Sequence, residues 1–242
     1  MAKEAIVYRD DITKILWSNI SMVEPYPETI VPVREQVNGT AFFPGGSGLY
    51  NDIPCFNIPT IFVLGQDFST EDYYNRILDG GIRDTDCPTW VNLLKLFKQA
   101  EIDLCDCFFS NAFIGLRKTT SMTGPFPGYK DVHFVNRNLQ YLNFQIQIMK
   151  PSLIITLGKH AANMLYRLSQ DDLHAWKNYN ALRLPDEGYK EKVRIGNVCS
   201  SCVALEHPSM RYANLRRRAY KQYTGNDAEL AMLGDALSCF AT

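Results

Sequence analysis

Four short apolar runs, each cut off by a small or polar residue, limit what this chain can fold into more than any other feature. They are Ile61-Phe62-Val63-Leu64, Cys107-Phe108-Phe109, Leu153 to Leu157, and Cys202 to Leu205. Runs this short, bounded by Gly, Pro and polar residues, read as strands covered on both faces. Helical patterns separate them. Glu71 to Leu78 follows Ser69 or Thr70 as a cap and stops at Gly80-Gly81. Trp90, Leu93, Leu94 and Phe97 share one face between Thr89 and Ala100. Val135, Leu139, Leu142, Ile146 and Met149 make a stripe between Asp131 and Lys150, which Pro151 ends. Further helices are expected over His160–Leu168, Arg211–Tyr223 and Asp227–Phe240. Such alternation implies βαβ units. The expected fold class is α/β, a three-layer αβα sandwich around a central four-stranded parallel sheet.

The rest of the chain is less patterned. A short helix is expected within Asp11 to Met22, followed by a Pro-rich passage. Phe42-Phe43-Pro44-Gly45-Gly46-Ser47-Gly48 reads either as a plain turn or as a loop offering backbone N–H groups to a phosphate; it lacks the Lys-Ser/Thr of a P-loop. Residues 169–196 are polar and read as a surface insertion. With no linker or repeat in view, residues 1–58 are expected to be an N-terminal extension packed on a single α/β domain at 59–242.

Of 242 residues, 46% are hydrophobic and 21% charged, with a net charge of −1, so any attraction to nucleic acid must be local rather than global. No apolar run is long enough to span a bilayer, and the first residues carry acids without an apolar signal core. Seven cysteines without a disulfide spacing point to a reducing, cytoplasmic setting.

The residues that follow each strand carry chemistry. The first is followed by Gln66-Asp67, the second by Asn111, the third by Gly158 at a helix start, the fourth by His207-Pro208-Ser209. In a parallel sheet with right-handed crossovers these ends share one edge, where ligands bind in open α/β folds. A carboxylate, an amide and an imidazole converging there suit cleavage of an N-glycosidic bond to a base. The carboxylate of Asp67 would orient water or stabilise an oxocarbenium-like sugar, His207 would support charge on the departing base, and Asn111 would read the N–H and C=O edge of a pyrimidine.

These stretches resemble the uracil-DNA glycosylase superfamily. Leu64-Gly65-Gln66-Asp67 resembles its first catalytic motif, Ser110-Asn111 its base-reading asparagine, and His207-Pro208-Ser209-Met210-Arg211 its last motif. Pro151 to Ala162 follows the Pro-x-x-Ile-Ile-x-Leu-Gly-x-x-Ala stretch of bacterial branches. The resemblance runs from about 59 to 220. It implies that the chain is a DNA base-excision glycosylase acting on a flipped-out base, with Asp67 and His207 catalytic and Gln66, Phe68 and Asn111 against the base. Ser209, Met210 and Arg211 would lie on the loop that enters DNA. Arg211, Arg216 and Arg217, with Arg218 and Lys221, would form a phosphate-binding face, or else a solvated, ion-paired helix face. Phe68 stands where the family commonly has Pro, and Ser69 where its uracil-specific branch has Tyr, so the base is uracil or a damaged relative. Phe68 and Trp90 are the aromatics available to stack on it, or else to fill the core.

Some branches of the family hold a four-cysteine iron–sulfur cluster. Here Cys105-Asp106-Cys107 and Cys199-Ser-Ser-Cys202 do not match those ligand positions. The expectation is no metal, no cofactor, DNA as partner, no membrane, and a monomer. The competing reading is a catalytically silent protein that binds a nucleobase or DNA on the same scaffold.

Overall fold

The computed structural model describes residues 9–33, 42–45, 58–177 and 185–239. Along the chain run α1 (Arg9–Ser18), β1 (Ile30–Val31), β2 (Phe42–Phe43), β3 (Ile61–Gly65), α2 (Glu71–Leu78), α3 (Pro88–Gln99), β4 (Cys107–Asn111) and β5 (Leu116–Arg117). Then come α4 (Val132–Met149), β6 (Leu153–Leu157), α5 (Lys159–Tyr166), β7 (Tyr189–Ile195), β8 (Val198–Leu205), α6 (Arg211–Asn214), β9 (Ala219–Tyr220), β10 (Tyr223–Thr224) and α7 (Asn226–Ser238).

Among the described residues the central sheet has six strands in the order β2-β4-β3-β6-β8-β7. The four strands expected from the apolar runs form its parallel heart, β4-β3-β6-β8. Period-two alternation sorts their side chains onto two faces. Phe62, Leu64, Phe108, Ile154, Cys202 and Ala204 meet α1, α4 and α5. Ile61, Val63, Phe109, Ile155, Val203 and Leu205 meet α3 and α7. Both faces are therefore dry, and the three-layer αβα arrangement follows. Local signals fix the helix ends. Thr70 caps α2 by accepting from the Tyr73 N–H, and Asp131 caps α4 by accepting from the Phe134 N–H. Lys150, at φ 48°, closes α4 in the left-handed region just before Pro151.

Three expectations change. The stretch 169–196 is not only a surface insertion: Leu173, Trp176, Val193 and Ile195 are buried, and β7 pairs antiparallel with β8. Lys190, Glu191, Lys192 and Arg194 give that strand the charged look of a loop, as protected edge strands often have. The sheet also gains β2, paired in parallel with β4 through Phe42↔Phe109 and Phe43↔Ser110. Gly46, Ser47 and Gly48 of the expected glycine-rich loop lie outside the described residues.

The third change is at Arg211–Tyr223, which is not one helix. After α6 and a turn at Leu215–Arg217 the chain becomes extended at Arg218 and forms the β9–β10 hairpin. Arg218 causes the break. It is fully buried and donates from Nη2 to the Ala204 carbonyl at 2.8 Å, an inward reach that a continuing solvent-facing helix could not satisfy. Arg218 therefore does not belong to the expected basic face.

Trp90 is 1% exposed and packs between Phe42 and Phe109, with ring centroids at 4.9 and 5.1 Å. It fills the core and does not offer itself to a base. Trp90→Ala is expected to lower stability by about 3–5 kcal/mol, read as a drop in the urea unfolding midpoint.

Candidate active site at the carboxyl edge of the sheet

Strand register sets the first two groups. Gly65 on β3 lies directly opposite Asn111 on β4. A Cβ at position 65 would sit 2.3 Å from Asn111 Oδ1, so only glycine leaves room for that amide. Asn111 is 3% exposed, and among the described residues its side-chain amide makes no hydrogen bond. A nearly buried amide with uncommitted donors and acceptor is suited to a polar ligand.

Asp67 is held more tightly than a carboxylate at a strand end need be. Arg117, on β5, donates from Nε to Oδ1 at 3.0 Å and from Nη2 to Oδ2 at 2.7 Å. Both side chains are almost buried, at 3% exposure for Arg117 and 6% for Asp67. Asp67 Oδ1 also accepts from the Ser69 N–H at 2.8 Å, which fixes Ser69 at φ 73° in the left-handed region. Three of the roughly four acceptor positions of the carboxylate are thus filled, and the remaining one lies on Oδ2. The same guanidinium donates to the carbonyls of Thr123 at 3.0 Å and Gly124 at 2.9 Å, and Gln66 Nε2 donates to Gly124 at 3.3 Å. Arg117 therefore ties the 123–125 loop to the Gln66-Asp67 pair.

His207 follows β8. Its Nδ1 lies 2.8 Å from Ser209 Oγ and accepts from the Ser209 N–H at 3.4 Å, so the ring proton is left to Nε2. Burial lowers the pKa of His207, opposed by the charge of Asp67. The ring is thus neutral with an Nε2–H donor. Gly158, at φ 82°, admits this packing: a Cβ there would lie 3.0 Å from His207 Cβ. His160, on the first turn of α5, has its pKa lowered mainly by burial and by Lys159, and it feels Arg117, Asp67 and His207. Two imidazoles therefore share the field of the Asp67–Arg117 pair.

The structure brings Gln66, Asp67, Asn111 and His207 to one edge. Phe68 is half-buried and lies in contact with Gly45, where a Cβ would come within 2.9 Å of the ring. Ser209 and Met210 are exposed on the turn after His207, and Tyr212 beside them is 91% exposed. Arg211 does not join them. It is buried, ion-paired with Glu229, and donates to Asn226 Oδ1 at 2.8 Å, which corrects its expected place on the DNA-facing loop. A buried carboxylate needs such a partner, and burial pushes the Glu229 pKa up even so. Arg216 and Arg217 are exposed, but on a turn rather than a helix. Sequence reasoning missed Arg117, His160 and Tyr212. Arg117 had one signal: a charge closing the otherwise buried run Ala112 to Leu116.

Cys107 lies in the core layer beneath α3 and Cys202 in the layer on the other side of the sheet. With β3 and β6 between their strands, they stand about 14 Å apart, three strand spacings. The two cysteine pairs do not converge.

Fold and site together define a three-layer α/β protein whose polar groups stand at the carboxyl edge of its parallel strands. The model of the uracil DNA glycosylase superfamily matches residues 75–228, and the chain belongs to that superfamily. No curated relative matches it. The matched span begins eight residues after Asp67 and contains Asn111 and His207.

Two measurements check this geometry. Arg117→Gln leaves the buried Asp67 carboxylate without its counter-ion and should destabilise the fold by about 3–5 kcal/mol, read by urea denaturation. The second concerns pH. His160 and His207 have folded pKa values below the unfolded value, so the unfolded chain binds more protons. Their contribution is present above the ordinary histidine pKa of about 6.5 and lost as pH falls through it. Melting temperature should fall from about pH 7.5 to 5.5, and His160→Gln should flatten that slope.

Proposed function

We propose that the protein is a DNA base-excision glycosylase that hydrolyses the N-glycosidic bond of uracil or a related damaged base flipped out of DNA. The observation that carries this reading is the uncommitted Asn111 amide beside Gly65, on the same edge as a neutral His207. Asn111 hydrogen-bonds the N–H and C=O edge of the base, with Gln66 helping to place it. His207 Nε2–H donates to a carbonyl of the base, whose negative charge grows as the C–N bond breaks. A neutral donor suits this step, because it strengthens its hydrogen bond as charge develops without first attracting other anions. Asp67 holds the attacking water on the lone pair of Oδ2 that Arg117 leaves free. Arg117 offsets the carboxylate's charge, so Asp67 contributes more by orienting water than by bare attraction to the sugar cation. Phe68 borders the base, and Ser209, Met210, Arg216 and Arg217 face DNA.

The Asp67–Arg117 pair also favours a second reading. A carboxylate held on both oxygens by a guanidinium is a normal structural device, and a silent nucleobase- or DNA-binding protein would need nothing more from it. Oligonucleotides containing uracil, hypoxanthine or xanthine, assayed for alkali-labile abasic sites, separate the two. The expected result is cleavage of at least one, with Asp67→Asn slowing it by about 100-fold or more at a temperature where circular dichroism shows the variant folded. Salt-dependent DNA binding with no product on any of them selects the silent reading instead.

A further inference from the structure

A cleft of about 420 Å³ lies outside the edge just described, between α3 and the segment from Arg211 to Asn226. That is within the roughly 300–1,000 Å³ range of small-ligand sites. Its walls carry Lys95, Gln99, Tyr212, Leu215, Arg216 and Asn226, and no acidic residue lines it. Arg211 reaches it too, but its charge is committed to Glu229. Lys95 and Arg216 are exposed and, among the described residues, have no ion-pair partner. A hydrogen bond of 3.2 Å from Asn226 Nδ2 to Gln99 Oε1 joins the two walls. Asn92 Nδ2 donates to the Pro208 carbonyl at 2.9 Å, which fixes α3 against the turn that bears His207. Tyr212, 91% exposed, stands at the cleft with an unused ring face.

Two unpaired cations facing across an acid-free cleft suit a phosphodiester, and an exposed aromatic ring beside them suits a base. Any base can stack there, because every base has a π face. The position, five residues beyond His207, suits a neighbour of the nucleotide at the active edge. We propose that this cleft binds one nucleotide of the single strand flanking the flipped-out one, its phosphate between Lys95 and Arg216 and its base on Tyr212. The strand is thereby gripped at two places, and the protein binds single-stranded DNA without needing a duplex. The inference rests on the DNA-binding part of the proposed function but not on base removal.

The test uses an undamaged ten-nucleotide oligothymidylate and fluorescence anisotropy across a salt series, with circular dichroism confirming the fold of each variant. Tyr212→Ala should weaken binding about tenfold, and Tyr212→Trp should restore it. Lys95→Gln combined with Arg216→Gln should reduce the slope of log K against log salt by roughly 0.7, the value for one phosphate contact on a single strand. Unchanged affinity and slope in these variants would overturn the proposal. So would a loss confined to duplex DNA, which would make Tyr212 a wedge and not a platform. Because the probe carries no damaged base, failure of base excision in the oligonucleotide panel leaves this result standing, and the reverse also holds.

Discussion

The in-register pairing of four parallel strands is the constraint on which the site depends. Gly65 meets Asn111 and Leu157 meets Leu205, so the strands end together and everything that follows them is delivered to one edge. A slip of one residue would turn Asn111 away from Gly65 and would exchange the two buried faces at once. Because both faces are apolar, that slip is strongly disfavoured. The placement of the amide, the carboxylate and the imidazole is thus secured by the same burial that holds the core together.

On that frame the chain adds a second level of fixation through charge. Arg117 reaches both oxygens of Asp67 and three carbonyls of the 123–125 loop, so one guanidinium ties the turn after β3 to the loop that follows β5. Arg211 does the same on the far side, joining the turn after His207 to α7 through Glu229 and Asn226. These pairs lie where water is scarce. Removing either partner strands a charge, which gives them a structural cost of loss much greater than that of exposed pairs such as Lys192–Glu191.

The central strands and most helices were legible because their signals are local: apolar runs of strand length, 3.6-residue stripes, and caps at Thr70 and Asp131. The strand-end residues were legible because parallel topology turns sequence order into spatial adjacency. What was not legible depends on long-range partners. β7 wears charges outward and buries only alternate residues, so composition alone reads as loop. The break at Arg218 arises from a carbonyl on β8, and the inward turn of Arg211 from a carboxylate on α7. In each case a side chain that looks like surface is claimed by a distant group, and no window of sequence contains both partners. Arg117 is the same kind of omission, fifty residues from Asp67 along the chain.

The inward anchoring of Arg211 has a consequence for its neighbours. Met210 and Tyr212 flank a residue whose side chain is pinned from below, and Met210 is fixed from the other side by its N–H donating to the His207 carbonyl at 2.8 Å. Two exposed apolar side chains thus project from a rigid base. Flexible loops that order only on meeting a partner lose conformational entropy at that moment, which weakens association. Here that loss has already occurred during folding, so the pair presents a preformed surface.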